Sequence, residues 1–180
     1  MNVCVFCGSS TGTESIYTDT ALECGQLLAN GGHTLIYGGG NIGLMGVIAD
    51  SVLTRRGKVI GVIPDFLMKR EVGHLGLTEL IIVNSMHERK KRMADMADVF
   101  IALPGGWGTL DELAEILTWR QLGLIGQSIG LLNIDSFFSP LIDQMKIMSE
   151  KGFLRSDNLD FLTIENSPAK LLTALGVVTV

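Results

Sequence analysis

Apolar residues recur along this chain in two alternating rhythms. Short runs at 2-NVCVF-6, 34-TLIY-37, 58-KVIGVI-63, 80-LIIV-83, 99-VFIAL-103 and 129-IGLLNI-134 have the length and the Val/Ile content of strands. Between them lie longer stretches with apolar residues at helical spacing, near 15–31, 43–56, 86–97, 109–123, 137–151 and 167–175. The strand runs are nearly continuous rather than alternating, as expected of strands buried on both faces. Strand and helix in turn require crossover connections. The pattern therefore predicts an α/β fold of three layers, α/β/α, around a mostly parallel sheet. The segment 64-PDFLMKREVGHLGLTE-79 follows neither rhythm and is predicted to be a mobile or functional loop.

Length and composition narrow this picture. A chain of 180 residues suits one domain, 1–180, with a single core. Hydrophobic residues make up 47% of it, enough for that core and for a subunit contact. Gly, Pro or charge breaks every apolar run well short of the ~20 residues a membrane span needs, so no membrane association is expected. A net charge of -5 argues against a nucleic-acid binder, whose affinity comes from Lys and Arg neutralising phosphates, but leaves room for a small anion. Apart from His33 the first basic residue is Arg55, so the start lacks the charge of a secretory or transit peptide and a cytoplasmic location is expected. Cys4 and Cys7 form C-x-x-C, yet Cys4 lies inside a strand run, which favours buried structural thiols over a redox pair. With no second C-x-x-C and three scattered histidines, no metal site is expected.

Three loops, 7-CGSSTG-12, 38-GGGNIGLMG-46 and 104-PGGWGT-109, each follow a predicted strand and precede a helix. They should open on one rim of the sheet, where parallel α/β folds bind ligands. A helix start offers backbone N–H groups and a positive dipole end, and glycine lets a phosphate approach. Each loop alone is explained by a tight turn; three on one edge favour phosphate, with Gly8, Ser9, Gly39, Gly40 and the 105–109 run as candidate contacts. The middle loop also matches the dinucleotide fingerprint G-x-G-x-x-G at Gly38, Gly40 and Gly43. It follows the second strand rather than the first, and Asp65 supplies the answering acid only if the strand before it continues past Pro64.

Two further stretches carry charge suited to chemistry. Thr109 and Glu112 have the spacing of a capping box, which would open a helix at 109. Glu112 also stands beside the phosphate-type helix start, followed by Glu115 on the same face, while Leu110, Leu113 and Leu117 form an apolar stripe. In 86-MHERKKRMADMA-97, Met86, Met93, Met96 and Ala97 define an apolar face that includes Arg89 and Lys90. Inward-pointing cations need an anion: a ligand phosphate, or a carboxylate such as Glu112 or Glu115. His87-Glu88 lacks the second histidine of a zinc-protease helix, since Lys91 stands in its place.

The stretches 104-PGGWGTLDE-112 and 86-MHERK-90, with 6-FCGSS-10 and 38-GGGNIGLMG-46, resemble the signatures of the Lonely guy (LOG) family, cytokinin riboside 5′-monophosphate phosphoribohydrolases. The likeness extends over nearly the whole chain. It implies a Rossmann-like domain, usually a homodimer or higher assembly. It also implies hydrolysis of the N-glycosidic bond of N6-modified AMP, and sometimes of AMP itself, to free base and ribose 5-phosphate without a cofactor. By this resemblance the substrate contacts fall on Glu71, Arg89, Lys90, the run Gly106, Trp107, Gly108, Thr109, Leu110, Asp111 and Glu112, and Thr118. Trp107 departs from the more usual Tyr or Phe. The family long carried the name lysine decarboxylase, but no lysine here has a setting that marks it as a pyridoxal phosphate Schiff-base residue.

Glycoside cleavage passes through an oxocarbenium-like sugar, so a fixed carboxylate is expected to stabilise it, and Glu112 is the candidate. Gly105, Gly106, Gly108 and Thr109 are the expected phosphate contacts, and Arg89 is expected to position the sugar and the carboxylate. Two readings from other classes stay open: a noncatalytic nucleotide-binding module, and a dinucleotide-dependent oxidoreductase built on 38–43.

Overall fold

The computed structural model describes residues 1–68 and 73–178. In chain order its elements are β1 (Asn2–Phe6), α1 (Ser15–Asn30), β2 (Thr34–Tyr37), α2 (Gly43–Thr54), β3 (Lys58–Pro64), β4 (Glu79–Val83), α3 (Met86–Met96), β5 (Val99–Ala102), α4 (Trp107–Gln121), β6 (Ser128–Leu132), α5 (Ser139–Glu150), β7 (Leu162–Glu165) and α6 (Pro168–Ala174). The strands form one seven-stranded sheet in the order β4-β3-β2-β1-β5-β6-β7. Every neighbouring pair within it is parallel.

Side chains leave each strand to opposite faces in turn, and this divides the core in two. Val3 and Val5 of β1 point to the face covered by α1, α2 and α6, joining Leu28, Ile48 and Leu171. Cys4 and Phe6 point the other way, joining Met93 of α3 and Leu113 and Ile116 of α4. Helices thus cover both faces, which gives the expected three layers. A strand buried on both sides must be apolar at every position, and the unbroken runs met that condition.

Three features depart from the sequence-based expectations. A seventh strand, β7, pairs with β6 at the sheet edge, where its residues are half-buried or exposed; 162-LTIE-165 was too short and too mixed to register as a strand. The third strand continues through Pro64, which pairs with Val83. The fourth helix begins at Trp107 rather than Thr109.

The strand order places a topological switch between β1 and β5. From β1 the chain builds outward through β2, β3 and β4, and α3 then carries it back to the far side of β1. Loops leaving β1 and β5 part in opposite directions and open a crevice at their carboxyl ends.

Candidate active site

That crevice is held together by Gly8. Its N–H donates to the Pro104 carbonyl at 3.1 Å, tying the β1 loop to the β5 loop, and its carbonyl accepts from Leu44 N–H at 3.0 Å at the start of α2. The approach is close because both loops carry glycine there: a Cβ on Gly8 would lie 3.2 Å from Gly105 Cα. A cavity of about 150 Å³ opens beside this junction, lined by Gly8, Ser9, Gly38, Met86, Arg89, Gly106, Trp107, Gly108, Thr109, Asp111 and Glu112, with Cys7, Met45 and the end of β1 as its floor. A second cleft of about 260 Å³ shares Gly8, Ser9 and Gly106 with it and extends past Gly105 toward Tyr17 and Phe137.

The start of α4 forms one wall. Its N-cap is Gly106, and no side chain caps the helix. The capping box expected from Thr109 and Glu112 does not form, because Thr109 lies inside the first turn and Glu112 in the second. First-turn amides have no carbonyl partner within a helix. Thr109 is only 2% exposed, and its hydroxyl has no hydrogen-bond partner among the described residues. A Cβ on Gly106 or Gly108 would point into open space, whereas one on Gly105 would collide with the Thr109 side chain. Gly105 is thus a packing glycine, and Gly106 and Gly108 face the cavity.

The opposite wall is built around Arg89, which is only 5% exposed. Its Nε donates to the Val62 carbonyl at 3.1 Å and its Nη2 to the Gly38 carbonyl at 2.8 Å, while Nη1 lies 3.8 Å from the Met86 sulfur. The two carbonyls fix the plane of the guanidinium. A Cβ on Gly38 would overlap Nη2, so glycine there makes the seat. The helix carrying Arg89 is capped conventionally: Ser85 Oγ accepts from Glu88 N–H at 3.1 Å, and Glu88 Oε2 accepts from Asn84 N–H at 2.9 Å.

Lys90, expected among the substrate contacts, is not in the cavity lining. Its Nζ lies 3.1 Å from Asp111 and 3.2 Å from Glu115, so it ties α3 to α4. Burial works against its charge, but the bonds and attraction of these two carboxylates outweigh that and raise its pKa. A Schiff-base lysine needs the opposite shift. Asp111 reaches both Lys90 and the cavity. Leu110 and Thr118 line a different, apolar groove of about 450 Å³ between α4 and α5, and the Thr118 hydroxyl donates to Ala114 O at 2.7 Å. Gly39 and Gly40 lie behind the cavity: Gly39 has φ +78° and packs on Ile63 and Leu80, and Gly40 bridges Gly73. Glu71 lies outside the described residues. Gly38, Met45, Met86 and Cys7 also line the cavity, although the sequence marked them only for a fingerprint, an apolar helix face, a C-x-x-C pair or a matched stretch and not as ligand contacts. None of the four has a side chain that announces ligand chemistry; only their place within the matched stretches could have marked them.

The 38–43 fingerprint does not form a dinucleotide cradle. The start of α2 is taken by the Gly8 carbonyl, and a Cβ on Gly43 would collide with the Ser9 backbone. Asp65 follows the extended strand but lies exposed in a short 3-10 turn.

Two buried thiols register the field of the site. Burial raises the pKa of both Cys4 and Cys7; the negative charge of Glu112 adds to this and the positive charge of Arg89 opposes it. Thiols held neutral in this way are poor nucleophiles, which removes the redox reading of C-x-x-C. Glu112 and Arg89 themselves share the cavity lining with the end of β1.

Comparison with known proteins bears on the family and the fold. The family model described as possible lysine decarboxylase matches residues 45–175. The probable cytokinin riboside 5′-monophosphate phosphoribohydrolase LOGL1 of Oryza sativa subsp. japonica is 47% identical over 155 residues, 86% of this chain and 70% of the relative. The cytokinin riboside 5′-monophosphate phosphoribohydrolase LOG1 of Arabidopsis thaliana is 47% identical over 152 residues, 84% of this chain and 71% of the relative. Among solved structures, the molybdenum cofactor carrier protein of Chlamydomonas reinhardtii superposes with a TM-score of 0.73 at 19% identity, covering 97% of this chain and 95% of the other. The molybdenum cofactor binding protein of Rippkaea orientalis gives 0.70 at 23% identity over 97% and 93%. At such identities these two speak for the Rossmann-like fold alone. The match over most of the chain and the identity to the plant proteins together make this chain a member of the LOG family, the group that the possible lysine decarboxylase model describes.

Proposed function

We propose that this chain hydrolyses the N-glycosidic bond of N6-modified adenosine 5′-monophosphates, and of AMP itself, releasing free base and ribose 5-phosphate. The observation that carries this reading is one cavity combining an uncapped helix start, a buried hydroxyl without a partner among the described residues, a carboxylate and a seated guanidinium. The names of the plant relatives, 44–48% identical for several of them, support the same substrate class.

The 5′-phosphate is held by the amides of the first turn of α4 and the Thr109 hydroxyl, with Gly106 and Gly108 giving it room. Ser9 and the Gly8 loop close the site from the β1 side. Ribose then lies between Glu112 and Arg89. As the C1′–N9 bond breaks, its electron pair leaves with the base and positive charge builds on the sugar, where the Glu112 carboxylate stabilises it. Water adds its oxygen to C1′ and releases a proton, and the base takes one up. Arg89, fixed by two backbone carbonyls, orients the sugar and the carboxylate. Trp107, 87% exposed at the cavity mouth, offers an aromatic surface to the purine. Glu71 is proposed as a further substrate contact from the motif alone.

The working unit is proposed to be a homodimer in the cytoplasm. Its support is the apolar groove between α4 and α5, together with an α5 that buries none of its residues in the monomer and a Phe153 side chain left exposed beyond it. No helix among the described residues is long and apolar enough to cross a membrane. Light scattering during size exclusion gives the mass in solution; a monomer overturns the dimer. For the reaction, the pure protein is incubated with AMP, N6-isopentenyl-AMP and the matching nucleosides, and freed base is resolved chromatographically. Release from the monophosphates and not from the nucleosides is expected. Tight binding of intact nucleotide without release would leave only a binding module.

A further inference from the structure

The Arg89 seat depends on a turn that has no side chains of its own to hold it. Residues 38–40 are all glycine, and the carbonyl that accepts from Arg89 Nη2 belongs to Gly38. Glycine loses more backbone freedom on ordering than any other residue, so this turn needs an external brace. The bonds that supply one come from the segment starting at Gly73. Gly40 bridges Gly73, and His74 N–H donates to the Gly39 carbonyl at 2.9 Å.

His74 is in turn anchored at both ring nitrogens. Gly76 N–H donates to Nδ1 at 3.1 Å, so the ring proton sits on Nε2, which lies 3.0 Å from Asp50 Oδ1 on α2. The ring is buried, while the Asp50 side chain is 66% exposed. Asp50 belongs to the helix whose start is capped by the Gly8 carbonyl, so the brace is referenced to the same frame as the cavity. The path therefore runs Asp50, His74, the Gly39 peptide, the Gly38 carbonyl, Arg89.

We propose that His74 and Asp50 are positioning residues for Arg89: they clamp the triple-glycine turn so that the Gly38 carbonyl holds the guanidinium at the sugar. Neither touches substrate. The kinetic arm of the test rests on the hydrolase reading; the spectroscopic arm does not.

The test is a double-mutant cycle with a direct look at Arg89. His74→Ala is expected to lower kcat on N6-isopentenyl-AMP by ~10-fold or more, to leave KM within ~3-fold because the α4 start is untouched, and to lose its effect in an Arg89→Ala background. His74→Gln, which can still donate toward Asp50, should recover most of the rate, whereas Asp50→Ala should reproduce the loss. In nitrogen-15 spectra the Arg89 Nη2 protons, which donate to the Gly38 carbonyl, should exchange with solvent at least ~10-fold faster in His74→Ala than in the unmodified protein. Multiplicative losses in the cycle, or unchanged Arg89 exchange, would overturn the clamp even if the variants melt at lower temperature. If the unmodified protein releases no base, the hydrolase reading fails, and the exchange rate of Arg89 alone decides the clamp.

Discussion

The helices α3 and α4 begin with the same four-residue pattern and use it in opposite ways. Ser85 and Glu88 cap α3, whereas Thr109 and Glu112 sit one turn deeper in α4 and cap nothing. What separates them is the residue at the N-cap. Ser85 brings its own acceptor; Gly106 brings none. A capped helix start is satisfied within the protein and contributes stability, while an uncapped one next to a buried hydroxyl keeps its donors for a ligand. One start is structure, and the other is the proposed site.

Substitutions on the two starts should therefore separate turnover from stability. Glu112→Gln should lower kcat by ~100-fold or more with little change in thermal midpoint, because it removes charge stabilisation without altering shape; a fully active variant would reduce Glu112 to a helix surface residue. Arg89→Ala should weaken both binding and turnover, by ~30-fold in kcat/KM on the scale of a lost charged hydrogen bond, as steady-state kinetics on AMP would reveal. Thr109→Val should raise the KM of monophosphates by ~10-fold and leave nucleoside binding unchanged, since one hydroxyl bond to a charged phosphate is worth ~1.5 kcal/mol. Ser85→Ala should behave the other way round, costing ~1 kcal/mol in urea denaturation while activity stays within ~2-fold. Equal effects on both properties at both starts would erase the distinction.

A smaller effect concerns the thiols beneath the site. Cys24 has its pKa raised by burial and by Glu23 from 9.0 to about 12. The folded state thus favours the neutral thiol, and this contribution to stability is intact below pH 9 and lost as pH rises toward 12. Native protein at pH 8 should resist iodoacetamide at Cys4, Cys7 and Cys24, and all three should react after unfolding; mass spectrometry counts the adducts.

Much of this was legible from the chain. Continuous Val/Ile runs announced buried parallel strands because both faces of the sheet exclude water, and the glycine loops fell on the rim where the cavity lies. Arg89 was legible from its place between Met86 and Met93, since a cation on an apolar face must have a built partner. What failed did so for local reasons. The four residues of β7 lie on a half-exposed edge, where the pressure for an apolar pattern is weak. The cap at Thr109 was misplaced because the spacing rule does not see that a glycine without a side chain can stand at the helix start. Lys90 found one of the carboxylates the sequence offered it, Glu115, while its second partner, Asp111, lies 21 residues on and was not foreseen. The role of the triple glycine was hidden because the fingerprint it imitates belongs to a first strand, and only the sheet order showed that this turn backs onto Arg89.

Gly8 spends its N–H on one half of the sheet and its carbonyl on the other. Lengthening the chain by a single residue between Phe6 and Gly8 would break both bonds at once and separate β5 from α2. Residues 11–14, exposed and just beyond it, carry no such double duty. Any diversification of this scaffold toward new ligands therefore has to grow from that tip and leave the stitch behind it alone.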